Sequence, residues 1–151
     1  MNSGASFLEG NEIQDQGAGR FQTTAASLRY SPLDQYLMGL RRPDEVPSFF
    51  FVENVTGVTA ARDRTPEVGV AFGGTRRDLS VGDLVAAVGP RSPGVSDSPK
   101  VLRQSFVLVS VGTNGSPAAA NLARIERMRV AFPAFYAAGT EGRGQVDPRI
   151  N

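Results

Sequence analysis

The chain has 151 residues, 40% of them apolar and 21% charged, with 27 Gly and Pro residues; this is a globular, turn-rich composition. It contains no His and no Cys, which excludes His-based acid/base catalysis, Ser-His-Asp and Cys-His pairs, His- or Cys-ligated zinc, thiolate chemistry and disulfides. Sixteen basic residues against fifteen acidic ones leave a net charge of +1, too weak a field to imply a nucleic-acid or membrane partner.

In chain order, residues 1–6 read as a loose tail. Glu12-Ile13-Gln14-Asp15-Gln16 and Arg20-Phe21-Gln22-Thr23-Thr24 flank Gly17-Ala18-Gly19 and predict a hairpin. Ser31-Pro32-Leu33-Asp34 opens a short helix. Ser31 caps it, Pro32 suits its first turn, and Asp34 completes the reciprocal cap. Leu33, Tyr36, Leu37 and Leu40 recur at helical spacing, Gly39 fits a left-handed cap, and Pro43 stops continuation. The continuous apolar run Phe49-Phe50-Phe51-Val52 predicts a strand, residues 48–54, covered on both faces.

Residues 55–66 read as a polar loop. Residues 67–72 predict a strand stopped by Gly73-Gly74. Ser80-Val81-Gly82-Asp83 repeats the Ser-x-x-acid start and predicts a second short helix ending at Gly89-Pro90. Residues 89–99 predict a loop, and residues 101–111 a long central strand. Asn114-Gly115-Ser116-Pro117 opens the longest helix, with an apolar stripe of Leu122, Ile125, Met128 or Arg129, Phe132 and Phe135. Pro133 should kink or divide that helix and Gly139 should end it. The tail 140–151 reads as loose and polar, with an edge strand near Gln145-Val146. The order predicts one α+β domain: a small, mostly antiparallel sheet packed by a long C-terminal helix and two short helices.

The stretch Ser31-Pro32-Leu33-Asp34-Gln35-Tyr36-Leu37-Met38-Gly39-Leu40 carries a resemblance. With Glu9-Gly10-Asn11 before it and Pro43-Asp44-Glu45-Val46-Pro47-Ser48-Phe49 after it, the chain resembles bacterial secreted, metzincin-like zinc metallopeptidases. Thinner similarity continues through Gly89-Pro90-Arg91-Ser92-Pro93, Phe106-Val107-Leu108-Val109 and the terminal helix, so that it spans roughly residues 6–140. By that resemblance Ser31, Pro32, Asp34, Tyr36, Met38 and Gly39 form a Met-turn-like motif, with Met38 as the floor beneath a zinc ion. Read from its neighbours alone, Met38 is a core filler.

The His-Glu-x-x-His helix of that family has no counterpart in a chain without His. In that motif two His one turn apart hold zinc while the Glu activates water. The resemblance therefore implies the C-terminal half of such a domain, without catalytic residues, metal or cofactor. A surface that once packed on the other half would be apolar, and a homodimer would cover it.

Fifteen of the sixteen basic residues are Arg, which favours fixed anion contacts. Arg41, Arg42, Arg76, Arg77 and Arg91 are candidates for an anion- or ligand-binding face. The plainer expectation pairs them with Asp44, Glu45 and Asp78. Asp34 with Arg41 could line the pocket of a stand-alone enzyme or of a small-ligand or peptide binder, and Asp34 with Glu45 could act as an acid/base pair. The segment Gly69 to Arg77 could cradle a phosphate, although it matches neither nucleotide-binding fingerprint. Arg124 and Arg127 belong on the solvated side of the last helix. No apolar run reaches the length of a membrane span, and no signal peptide is visible, so the chain as encoded reads as cytoplasmic although the resembled family is mostly secreted. A truncated product without independent function is the remaining alternative.

Overall fold

The computed structural model describes residues 10–58, 66–109 and 118–149. The expected loose start, most of the loop at 59–65, the end of the 101–111 strand and the Asn114 to Pro117 helix start lie outside them. The fold class is α+β. The chain divides into two compact units, one up to Ser98 and one from Pro99.

The first unit holds strands β1 (Gly10–Gly17) and β2 (Arg20–Ser27), helix α1 (Pro32–Leu37), a 3-10 turn (Pro43–Glu45), strands β3 (Phe49–Thr56) and β4 (Ala71–Leu79), and helix α2 (Val81–Val88). The four strands form one antiparallel sheet in the order β1-β2-β4-β3. The hairpin forms where expected, with Gly17 paired to Arg20 and a tighter, two-residue turn. Its central residues, Ala18 (φ 52°) and Gly19 (φ 72°), take the positive φ that two-residue hairpin turns demand.

Both short helices start as their sequences dictate. Ser31 and Ser80 each accept from the backbone N–H three residues on, while Asp34 and Asp83 accept from the Ser backbone N–H. The Ser80 hydroxyl and N–H hold the Asp83 carboxyl below its ordinary range. The two caps should not be worth the same. Ser31 is almost fully buried, whereas Ser80 is partly open to water. Ser31→Ala should cost about 1–2 kcal/mol and Ser80→Ala less than about 1 kcal/mol, because only the first leaves partners that water cannot reach. Urea denaturation of the two variants checks the order.

One strand departs from expectation. β4 begins at Ala71, four residues late, and passes straight through Gly73-Gly74 instead of stopping there. The start is late because Thr23 binds residues 67–70. Its Oγ1 donates to the Glu67 carbonyl (2.6 Å) and accepts from Val70 N–H (2.9 Å), bending that segment against β2. The glycines serve close approach. A Cβ on Gly74 would run into Val52 Cγ1 and lie 2.9 Å from the Glu53 carbonyl oxygen; on Gly73 it would lie 2.6 Å from Thr56 Oγ1.

That missing side chain shapes the core. Phe21, Phe72 and Phe50 lie on one face of the sheet by alternation and register. The rings of Phe21 and Phe72 stack at 5.7 Å, and those of Phe21 and Phe50 are 6.1 Å apart. The Arg76 guanidinium covers Phe50 at 4.3 Å. Phe21 ends only 1% exposed. Phe49 and Phe50 point to opposite faces and are both buried, as the apolar run implies, yet β3 is an edge of its sheet and its Phe51 and Val52 are only half-buried.

The second unit is strand β5 (Val101–Arg103), helix α3 (Ala119–Gly139) and strand β6 (Gln145–Asp147). β5 and β6 pair in parallel, the geometry that a helical connection between strands permits. The long central strand expected over 101–111 is not seen among the described residues: within 101–109 three residues join a ladder, in a two-stranded sheet. Its period survives beyond β5. Gln104, Phe106 and Leu108 are half-buried while Ser105, Val107 and Val109 are exposed. Alternation fixes which side chains share a face; it does not supply a second layer to cover both.

α3 runs unbroken through Pro133 and ends at Gly139 as expected. Its covered stripe is Ile125, Arg129, Phe132 and Tyr136, whereas Leu122, Met128 and Phe135 are exposed. The stripe is rotated because Phe132 meets Phe106 edge-on at 5.7 Å and Tyr136 at 6.2 Å, and Arg129 donates to the Pro148 carbonyl (3.2 Å). Burial raises the Tyr136 hydroxyl's pKa. Arg124 and Arg127 are solvated, as their spacing predicts. In place of a loose tail from Thr140, the chain buries Thr140 completely. Its Oγ1 accepts from Gly144 N–H (3.2 Å) ahead of β6, where Val146 is buried. Arg149 grips Asp147 through its guanidinium and its backbone N–H, three hydrogen bonds in all, and holds its carboxyl down to about 2.

Candidate functional site

The Ser31 to Leu40 motif folds as α1 and the turn that leaves it. Asp34 Oδ2 accepts from Ser31 N–H (3.1 Å) and Oγ (2.9 Å), so this carboxylate closes the helix start. Gln35, fully buried, donates to the Tyr30 carbonyl (3.1 Å) and accepts from Arg41 Nε (2.9 Å). The Gln35 carbonyl accepts from both Leu40 and Arg41 N–H. One buried amide thus fastens both ends of the turn.

Gly39 takes φ +76°, the left-handed cap the sequence predicts. It also makes room for another segment. A Cβ there would collide with Ser98 Oγ, and would lie 2.6 Å from Ser98 Cβ and 2.7 Å from Arg91 Cζ. Arg91 is laid across the turn. Its N–H donates to the Tyr36 hydroxyl (3.1 Å), its Nε to the Leu37 carbonyl (2.7 Å), and its Nη1 to Ser98 Oγ (2.6 Å) and the Pro93 carbonyl. Ser98 Oγ in turn approaches the Pro93 and Gly94 carbonyls at 3.1 and 2.9 Å. Residues 31–40 and 89–93, far apart in the chain, therefore meet in space. Met38 is half-buried at the same turn.

The five arginines are spread over separate partners. Arg41 bonds Gln35, and its Nη1 reaches the Glu45 carbonyl (3.4 Å). Arg42 forms a two-point, exposed pair with Asp44. Arg76 bridges Asp78 and Asp15, which raises its own pKa. The Gly17 N–H and then Arg76 hold the Asp15 carboxyl low. Arg77 pairs with Glu53 (2.9 Å), and Arg91 is built into the brace. The pairings with Asp44 and Asp78 are those the sequence suggests. Those with Asp15 and Glu53 cross between strands and needed the register.

Two candidate chemistries lose their groups to structure. Glu45 Oε2 accepts from Arg42 N–H (2.8 Å), so Asp34 and Glu45 both serve as caps. The Gly69 to Arg77 cradle is mostly β4, and Gly74 N–H donates to the Gly19 carbonyl (3.0 Å). Gln35 and Ser98 are the residues sequence reading missed. Neither type marks itself by spacing, and their roles arise only when the turn and the later loop meet.

Fold and site together define an α+β protein whose most distinctive motif is an internally braced turn. No family model, curated protein or solved structure matches the chain. No helix among the described residues is long and apolar enough to cross a membrane.

Proposed function

We propose that this chain is a non-catalytic, peptidase-derived binding and assembly module that acts as a homodimer. One observation carries the reading. Among the described residues many large apolar side chains stand open to water, Val68, Val88, Val107, Val109, Leu122, Met128, Val130 and Phe135 among them. Exposed apolar surface of this kind supports an interaction role more than a reactive one. The missing His supports the non-catalytic half of the reading. The polar groups of the Ser31 to Gly39 motif support it too, because the bonds described above run to partners within the chain. The rival reading, a ligand pocket near Asp34 and Arg41, meets side chains already engaged in the same way. Light scattering on the purified chain should return twice the monomer mass at micromolar concentration. A monomer throughout that range would sink the proposal.

A further inference from the structure

We infer that the outer face of α3 is a docking surface for α3 of a second copy of this chain, packed antiparallel about a twofold axis at Ala131. This rests on the self-association reading above and names its surface. Arg124, Arg127, Met128, Ala131, Ala134, Phe135 and Ala138 recur at steps of one, three and four residues within the helix Ala119–Gly139, and all are exposed. At about 100° per residue they share an arc of roughly 120°, set apart from the covered stripe of Ile125, Arg129, Phe132 and Tyr136. Spacing that repeats every seven residues is the seam of a two-helix contact. Met128 and Phe135, 50% and 41% exposed, put large apolar surface in that seam.

Size and charge favour a second copy as the occupant, because the seam is complementary to its own reverse. Arg124, Arg127 and Met128 precede Ala131, whereas Ala134 and Ala138 follow it. A reversed second α3 sets Met128 against Ala134 and Arg124 against Ala138, a long side chain on a small one each time, with Ala131 on its own mate. Arg127 meets Phe135, and a guanidinium over an aromatic ring is attractive. A parallel mate would instead set each arginine on its own copy. Neither Arg124 nor Arg127 has an acidic partner among the described residues, and Glu126, the one acid within the helix, pairs with Arg129. The antiparallel mate brings Arg124 beside its last helical turn, where the carbonyl ends are partially negative and Glu141 follows two residues past the helix. The alanines let the two axes approach to about 8 Å. With Cα atoms about 2.3 Å from each axis, facing Cα atoms come within the roughly 4.4–6.8 Å that a disulfide spans. One patch used twice closes on itself as a dimer.

Cross-linking tests this directly. The chain has no Cys, so a single introduced thiol has no rival. Under mild oxidation at micromolar concentration, Ala131→Cys should cross-link to itself at least about tenfold faster than Leu122→Cys, a site exposed on the same helix but outside the seam. Arg124→Cys and Ala138→Cys should cross-link each other when mixed, and themselves only at the Leu122→Cys rate. Ala131→Glu puts two carboxylates on the twofold axis. It should keep the far-ultraviolet spectrum and weaken dimerisation at least about tenfold. A wild-type dimer whose Ala131→Cys form cross-links no faster than Leu122→Cys would overturn the inference while leaving self-association standing. So would a folded Ala131→Glu chain that dimerises like wild type. A wild-type monomer would overturn both. Should Ala131→Glu fail to fold, the small cysteine substitutions still decide.

Discussion

Replacing Gly39 with Ala should cost about 2–5 kcal/mol of stability, read as a fall in the urea midpoint with an unchanged slope. Two penalties add. A side chain at φ +76° costs about 1–2 kcal/mol. The new methyl must also displace Ser98 or Arg91, whose Cβ and Cζ would sit 2.6 and 2.7 Å away, and overpacking costs about 1–3 kcal/mol. Gly39→Asn separates the two. Asn tolerates the left-handed region, so if conformation alone mattered it would restore much of the loss. The crowding against Ser98 says it will not. An Asn variant close to wild type in stability would show that the turn and the 89–98 loop are not locked together as described.

Phe21→Ala should be the most damaging single truncation in the first unit, at about 3–5 kcal/mol. Phe21 is 1% exposed and touches both Phe72 and Phe50, so its loss leaves a cavity and removes two ring contacts. A small domain has only about 5–15 kcal/mol in total, and a large part of the population should unfold at modest urea concentrations. Phe51→Ala, at a half-buried position with one ring contact to Phe49, should cost clearly less. Thermal or urea melts of the pair check the ranking. Equal losses would mean that the aromatic face roofed by Arg76 is not the centre of the core.

Local signals carried far in this chain. Ser31/Asp34 and Ser80/Asp83 place both helix starts to the residue, because a cap needs only a side chain and a backbone N–H three positions away. Gly39 and Gly139 end their segments as expected. Contacts distant in sequence defeated the same approach. Gly73-Gly74 looks like a strand end until Val52 and Thr56 are seen to need the space. Residues 101–111 look central until, among the described residues, only β6 is found beside the first three. Leu122 and Phe135 fit an apolar stripe by spacing, yet Phe106 turns the helix so that Tyr136 is buried instead.

For the candidate site, the motif residues Ser31, Asp34, Tyr36 and Gly39 stood out in the sequence, and so did Arg91. Their joint purpose did not. Arg91 lies more than fifty positions from Tyr36 and Leu37 in the chain, and it spans them only because the 89–98 loop returns to α1. By itself the sequence determined the absence of His and Cys chemistry, the near-neutral charge, the capped helices and the α+β order, all consequences of residue type or of neighbours within one helical turn. Tertiary structure alone decided that Arg91 braces the turn and that Arg76 roofs the Phe21 cluster. Each of those depends on which distant segments meet, and pairwise contact across a fold is not written in local spacing.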